Sequence, residues 1–148
     1  MGHEFSGEIV EIGKAVTNNW KLRERVCAMS HIGCAKCSNF RAGRPHRCDK
    51  ALNRATPGNP GAYSEFVRIG AQETFRLPAS VTFQEGALVE PLAVGLHAVK
   101  RAKITAGDNV LIVGGGPVGL SVAVWCKFFW SATYYCKRFD RGPGRTGG

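Results

Sequence analysis

Three cysteines lie close together in the first third of the chain, at Cys34, Cys37 and Cys48. The chain has six cysteines, and no basic N-terminal region followed by an apolar run resembles a secretion signal. Reduced thiols or metal ligands are therefore favoured over a disulfide framework. The other three we interpret as buried or incidental thiols: Cys27, Cys126 and Cys136.

A glycine-rich turn follows a short aliphatic run at residues 110–113. Gly114, Gly116 and Gly119 form the pattern G-x-G-x-x-G between a predicted strand and a predicted helix, and Pro117 suits the first turn of that helix. Such glycines allow a tight turn, a close approach to a pyrophosphate and close helix packing. The pattern predicts a nucleotide-binding turn. A purely structural turn stays open, because the chain contains 19 glycines.

The formal net charge of +9 raises the possibility of nucleic-acid binding. Basic residues are concentrated near the end of the chain and in a loop around the cysteines. Those of the loop are Lys36, Arg41, Arg44, Arg47, Lys50 and Arg54. No aromatic pattern typical of RNA-binding sheets accompanies them. No run approaches the roughly 18 apolar residues of a membrane span. We therefore predict a cytoplasmic protein with neither a nucleic-acid nor a membrane partner.

The elements that must position these groups change in type along the chain. Alternating apolar residues predict strands at 4–13, 25–30, 62–69 and 74–77. Between them, residues 32–60 show no pattern, and so long a loop requires a clamp such as a bound metal. A capping box from Thr82 to Glu85 predicts a helix, and Pro91 starts or kinks a second one over 91–101. The continuous aliphatic run at 110–113 predicts a strand buried on both faces, followed by a helix to residue 129.

Four stretches in this order resemble the zinc-dependent medium-chain alcohol and polyol dehydrogenases. They are Gly-His-Glu-Phe-Ser-Gly-Glu-Ile-Val at 2–10, the cysteine segment at 33–48, Gly-Ala-Leu-Val-Glu-Pro-Leu-Ala-Val at 86–94 and Val-Gly-Gly-Gly-Pro-Val-Gly at 113–119. The resemblance implies a mixed α/β fold, with a GroES-like β-rich catalytic domain followed by the truncated start of a Rossmann, doubly wound parallel domain. We expect the two domains to be joined near residues 100–108. The expected limits are 1–104 for the GroES-like domain, 105–130 for the first βα unit of the Rossmann domain and 131–148 for an atypical basic, Gly/Pro-rich tail.

The resemblance also implies a catalytic zinc site. His3 takes the place of a family zinc ligand, and Glu4 that of the adjacent carboxylate, which supports or exchanges with the ligands. Glu90 resembles the zinc ligand of the sorbitol- and threonine-dehydrogenase-like branch. Zinc with three protein ligands keeps a position open for an alcohol. From the residues alone, His3 could instead be an exposed histidine, and Glu90 a carboxylate that interacts with a helix dipole.

The same resemblance implies a structural zinc site and a coenzyme site. Cys34, Cys37 and Cys48 fall on the first, second and fourth positions of C-x2-C-x2-C-x7-C, but Phe40 holds the third, and His46 is a candidate donor by type only. NAD or NADP would bind at one group of residues: Gly114, Gly116, Pro117, Val118 and Gly119.

The sequence departs from the family at both ends. The remaining family ligand for the catalytic zinc is a cysteine upstream of Gly-His-Glu, and no residue here corresponds to it. Asp140 lies near the place of the acidic residue that holds the coenzyme ribose, but residues 141–148 show no fold signal. We hypothesise a fragment of a longer, frameshifted dehydrogenase with impaired activity.

The predicted parent is an oxidoreductase that transfers hydride from a small alcohol or polyol to NAD or NADP with the help of zinc, and is homo-oligomeric when intact. The alternatives are a non-enzymatic zinc- or nucleotide-binding module, a GroES-like interaction module, or a basic nucleic-acid-binding metal module.

Overall fold

The computed structural model describes residues 2–53, 61–130 and 133–137. These residues fall into two compact units that divide between Glu90 and Pro91. The division comes earlier in the chain than the joint expected at residues 100–108, and the limits 1–104, 105–130 and 131–148 stay predictions. No described helix has both the length and the apolar character that crossing a membrane requires.

The described part of the first unit is β-rich, as predicted. Its strands are β1 (Ser6–Glu8), β2 (Arg25–Ala28), β3 (His31–Ile32), β4 (Leu52–Asn53) and β5 (Thr74–Arg76). An antiparallel sheet has the order β1-β2-β5, with Cys27 opposite both Ser6 and Phe75. Val26, Cys27 and Ala28 are buried. The central strand therefore provides the core of this unit.

The segment that carries the cysteines is built from short elements. β3 pairs antiparallel with β4, and between them lie helix α1 (Ser38–Arg41) and a 3₁₀ turn (Pro45–Arg47). Sequence periodicity predicts none of these elements. Each has only two to four residues, too few for a repeating apolar pattern to be recognised. Residues 54–60 of the predicted loop, including Arg54, lie outside the described residues.

Two strand predictions in this unit need correction. The strand predicted at 4–13 is confirmed only over Ser6–Glu8. The strand predicted at 62–69 is wrong, since these residues form bends and irregular backbone. The Ser64 hydroxyl donates to the carbonyl oxygens of Gly61 at 3.3 Å and Phe66 at 2.7 Å. Such local bonds compete with the ladder bonds of a strand.

Two consecutive helices follow, as the change of periodicity predicts. Helix α2 (Phe83–Ala87) begins with the predicted capping box, in which the Glu85 amide donates to the Thr82 hydroxyl and the Thr82 amide donates to the Glu85 carboxylate. Helix α3 (Val89–Ala102) starts two residues before the predicted start at Pro91. Proline is tolerated there because amides of the first turn have no intrahelical acceptor.

The second unit contains a β-α-β arrangement. Strand β6 (Asn109–Val113) leads into helix α4 (Pro117–Trp130) and then into strand β7 (Thr133–Lys137), which pairs parallel to β6. β7 falls inside the segment 131–148, whose limits as a separate tail stay a prediction. Asp140 and the remaining tail lie outside the described residues.

The prediction that the run at 110–113 is buried on both faces is wrong for the described residues. Ile112 is 7% exposed, whereas Leu111 is 68% and Val113 64% exposed. Parallel strands are buried on both faces only where helices cover both. Among the described residues, a helix covers only the face of the strand that carries Ile112. That helix is α4, where a Cβ added to Gly119 would touch the Ile112 side chain.

Helices α3 and α4 pack together within this unit. Gly95 lies so close to Ser121 that a Cβ there would collide with the serine hydroxyl. The Trp125 indole donates to the Leu92 carbonyl at 2.7 Å. Cys126 is fully buried, in agreement with the expectation of a buried thiol.

Candidate metal centres and nucleotide turn

His3, Glu4 and Glu90 come together although Glu4 and Glu90 are 86 positions apart in the sequence. One ligating atom from each lies within 4.8 Å of those of the other two. His3 and Glu90 are half-buried, and Glu4 is exposed. The structure therefore places the three residues that the resemblance connects with catalytic zinc in one cluster.

The backbone before His3 is fixed by its neighbours. Gly2 has a φ of +87°, and a Cβ at this position would lie 2.9 Å from the Tyr63 amide nitrogen. The Gly2 carbonyl accepts a hydrogen bond from the Ala62 amide at 2.9 Å. Both the left-handed conformation and the close approach require glycine, so the Gly-His pair in the motif has a structural reason.

Strand β1 and helix α2 connect the two halves of this cluster. The Ser6 hydroxyl, three residues after His3, donates to the Phe83 carbonyl at the start of α2. A Cβ on Gly86 would lie 3.0 Å from Ser6 Cβ, which shows how closely the helix approaches the strand. Glu90 follows in the first turn of α3. Sequence reasoning assigns no role to Ser6 or Gly86, because nothing in a single sequence reports a contact over this separation.

Burial raises the pKa of the Glu90 carboxyl, an effect that His3 opposes and the negative charge of Glu4 increases. Imidazole nitrogen and carboxylate oxygen are zinc ligands, and catalytic zinc sites use three protein ligands and leave one position open. The donor set of this cluster therefore fits a zinc ion.

The sulfur atoms of Cys34, Cys37 and Cys48 also lie within 4.8 Å of one another. Backbone amides donate to them, from Phe40 to Cys37 at 3.3 Å and from Cys37 to Cys34 at 3.4 Å. His46 is exposed and lies outside this cluster.

The thiols of this cluster differ in acidity. Hydrogen bonds from the backbone at Lys36 and Cys37, together with the Cys48 thiol, lower the pKa of Cys34 to about 7. The Phe40 amide lowers the pKa of Cys37, but burial and the two neighbouring thiols outweigh it and raise that pKa above its ordinary value. A thiol that loses its proton near neutral pH is a ready metal ligand.

A buried carboxylate that sequence reasoning missed anchors the cysteine segment. Glu73 is 4% exposed, and its carboxylate accepts the Gly33 amide at 2.7 Å, next to Cys34. Its backbone carbonyl accepts the Met29 amide at 2.9 Å. Glu73 precedes the predicted strand at 74–77, and a lone acidic residue beside a strand gives no signal of burial.

In the second unit, the glycine-rich turn has the geometry that its pattern predicts. Gly114 has a φ of +109°, and a Cβ on Gly119 would collide with the Gly114 carbonyl oxygen. A Cβ on Gly116 would meet nothing within 4 Å. The backbone of the turn therefore requires glycine at positions 114 and 119, whereas Gly116 faces open space. Pro117 and Val118 form the first residues of α4.

The chain resembles known proteins over most of its length. Residues 1–79 match the alcohol dehydrogenase GroES-like domain. The protein named probable D-xylulose reductase A of Aspergillus fumigatus is 39% identical over 89% of this chain and 37% of its own length. Sorbitol dehydrogenase of Bacillus subtilis is 35% identical over 90% of this chain and 37% of its own length.

Solved structures agree with these relatives. The 2R,3R-butanediol dehydrogenase of Bacillus subtilis superimposes with a TM-score of 0.71 and 36% identity, covering 92% of this chain and 38% of the other. A protein of Sinorhizobium meliloti described as a zinc-binding dehydrogenase, solved with NADP, gives a TM-score of 0.77 and 31% identity over 90% and 39% of the two chains.

This chain spans little more than a third of the length of the relatives that it matches. The agreement covers both the GroES-like domain and the mixed α/β fold. The chain therefore belongs to the zinc-binding alcohol and polyol dehydrogenase family, whose members carry a GroES-like domain.

Proposed function

We propose that this chain provides the alcohol-activating metal site and the coenzyme turn of a zinc-dependent alcohol or polyol dehydrogenase. The substrate would be a small alcohol or polyol, and hydride would pass to NAD or NADP. The observation that carries the proposal is the cluster of His3, Glu4 and Glu90, whose ligating atoms lie within 4.8 Å of one another. The names of the relatives and the geometry of the glycine turn support it.

Each residue of the cluster has a distinct task in this proposal. Neutral His3 would present an imidazole lone pair, and half-buried Glu90 would add a carboxylate oxygen. Glu4 would support or exchange with these ligands, since its exposed side chain is free to move toward and away from the ion. Bound zinc would supply a Lewis acid for the alcohol oxygen, and bound NAD or NADP would accept the hydride.

The second unit would hold the coenzyme. The Gly116 face is open to a pyrophosphate, and the N-terminal end of α4, with its partial positive charge, would favour a negative group. The choice between NAD and NADP would depend on the residues that follow β7, where Lys137 ends the strand. Arg138 and Asp140, the further candidates for ribose or phosphate contact, lie outside the described residues.

The test combines metal content with turnover. Purified protein reconstituted with zinc should hold one ion that His3→Ala removes and Cys37→Ser leaves in place. Alcohol-dependent reduction of NAD or NADP, at a rate below that of intact relatives, would support the dehydrogenase. Retention of zinc by the His3→Ala variant at this site would overturn the proposed ligand set.

A binding module without catalysis is the second candidate. Exposed apolar side chains in the second unit favour it, among them Leu111, Val113 and Phe128, which suit contact with another surface. Binding of zinc and NADP with no alcohol-dependent reduction under any metal loading would support this candidate against the dehydrogenase. In either case we expect a cytoplasmic protein, and a homo-oligomer in the intact family form.

A further inference from the structure

Among the residues that the structure describes, the cysteine cluster offers three sulfur ligands and no fourth. Its members are Cys34, Cys37 and Cys48, whose sulfur atoms lie within 4.8 Å of one another. His46 is exposed and lies outside the cluster. Structural zinc is almost always bound by four ligands in a tetrahedron, so three thiolates leave such a site incomplete.

Phe40 stands at the sequence position where the family motif has its third cysteine. Its side chain carries no ligand atom, and its ring lies against the Gly33 backbone, where a Cβ would come within 2.5 Å of two ring carbons. Its backbone amide donates to Cys37 Sγ at 3.3 Å. The residue therefore shapes the cluster through its backbone and contributes only apolar bulk through its side chain.

We propose that Cys34, Cys37 and Cys48 form a three-sulfur site for Cu(I), a thiophilic ion that three thiolates satisfy in a trigonal arrangement. Soft thiolate ligands suit both Cu(I) and zinc, but zinc at this cluster must take its fourth ligand from outside it. This proposal does not depend on the dehydrogenase function, because it concerns a different cluster of the first unit.

The surroundings of the cluster favour such an ion. Three thiolates and Cu(I) carry a formal charge of −2, and Lys36 and Lys50 are among the residues that line the cavity beside them, together with one acidic residue, Asp49. Nearby cations stabilise a negative complex of this kind. The cavity is open and has a volume of about 280 Å³, so an ion can be delivered to the sulfurs without unfolding the segment.

The test compares affinities for the two ions in reduced protein without oxygen. The His3→Ala background removes the proposed zinc site of the other cluster, and chromophoric chelators compete for Cu(I) and for zinc separately. We expect one Cu(I) per chain, lost in Cys37→Ser. Phe40→Cys supplies the fourth sulfur and should raise zinc affinity by at least about tenfold with little change for Cu(I). Phe40→Ala, which removes the ring without adding a donor, should leave zinc affinity low.

Three results would overturn the proposal. The first is zinc affinity in Phe40→Cys no higher than in Phe40→Ala, with circular dichroism showing both variants folded. The second is a loss of zinc binding at the cysteines in His46→Ala, since a fourth protein donor would then exist. The third needs no variant: X-ray absorption at the copper edge should count three sulfur neighbours in the unaltered chain, and two would contradict a three-sulfur site.

Discussion

Ser6 and Phe83 are joined by a hydrogen bond from the serine hydroxyl to the phenylalanine carbonyl, across 77 residues of chain. Ser6 lies three residues after His3, and Phe83 begins the helix that leads to Glu90. The bond therefore fixes the two sequence segments that supply the proposed zinc ligands. Neither Ser6 nor Phe83 belongs to the metal cluster. The bond can therefore affect the ligands only by fixing the positions of the segments that carry them.

Replacing Ser6 with alanine should loosen this connection. Removing the hydroxyl leaves the Phe83 carbonyl without that donor, so we expect the free energy of unfolding to fall by about 1 kcal/mol. Zinc affinity at His3 and Glu90 should fall as well, because the ligands are less well preorganised. Urea denaturation and metal competition measure the two effects. Ser80→Ala, on an exposed serine, is the control, and equal behaviour of the two variants would contradict the role of the bond.

Gly86 should tolerate no side chain. A Cβ would lie 2.5 Å from Leu77 Cδ1 and 3.0 Å from Ser6 Cβ, so Gly86→Ala forces α2 away from β1. We expect a loss of about 1–3 kcal/mol, as for overpacking, although alanine is the better helix former. Gly7→Ala on strand β1 is the matched control, since a Cβ there meets nothing within 4 Å. A Gly86→Ala variant as stable as the control by thermal unfolding would show that the contact yields easily.

The sequence predicts those parts of the fold that local signals determine. The capping box at Thr82 and Glu85 lies within four residues, and the structure contains it. The G-x-G-x-x-G pattern likewise sits between a strand and a helix, as predicted. The strand prediction at 62–69 fails for the opposite reason, because a strand requires a partner elsewhere in the chain. The Ser64 hydroxyl instead donates hydrogen bonds to backbone carbonyls close to it in the sequence.

The candidate sites show the same difference between local sequence signals and long-range contacts. His3, Glu90 and the three cysteines were found from motifs, and the structure brings them into two clusters. The residues that position them were not found, because Ser6, Gly86 and Glu73 act through contacts across long sequence separations. A single sequence contains no record of such contacts.

The glycine turn provides a pair of variants with opposite effects. Gly119→Ala should destabilise the second unit, because the added Cβ collides with the Gly114 carbonyl. Gly116→Ala should leave the fold intact, since the space is open, but should lower NADP affinity because the methyl group obstructs the pyrophosphate. Thermal unfolding and NADP titration separate the two effects. Unchanged NADP binding in Gly116→Ala would exclude this turn from the coenzyme site.

The buried carboxylate of Glu73 should stabilise the cysteine segment. Glu73→Ala removes the acceptor of the Gly33 amide and should speed hydrogen exchange at that amide. The expected loss of stability is about 1–3 kcal/mol, the usual result of leaving a buried donor unpaired. Glu73→Gln keeps a carbonyl oxygen in place and should protect the amide better than alanine. Equal exchange rates in the two variants would show that the Gly33 bond does not hold the segment.

Acid should weaken the start of helix α2 through Glu85. Hydrogen bonds from the Thr82 amide and hydroxyl lower the pKa of this carboxyl below its ordinary value of 4.5. A lowered pKa in the folded state means that the carboxylate stabilises the fold above pH 4.5 and that this contribution is lost as the pH falls through the lower, folded value. Glu85→Gln should therefore be less stable than the unaltered chain at neutral pH, with the difference shrinking below pH 4.5. Urea denaturation at a series of pH values measures it, with Glu11→Gln on an exposed carboxyl as the control. A difference that stays constant from neutral to acid pH would mean that the ionised carboxylate has no special role, because a glutamine side chain does not titrate.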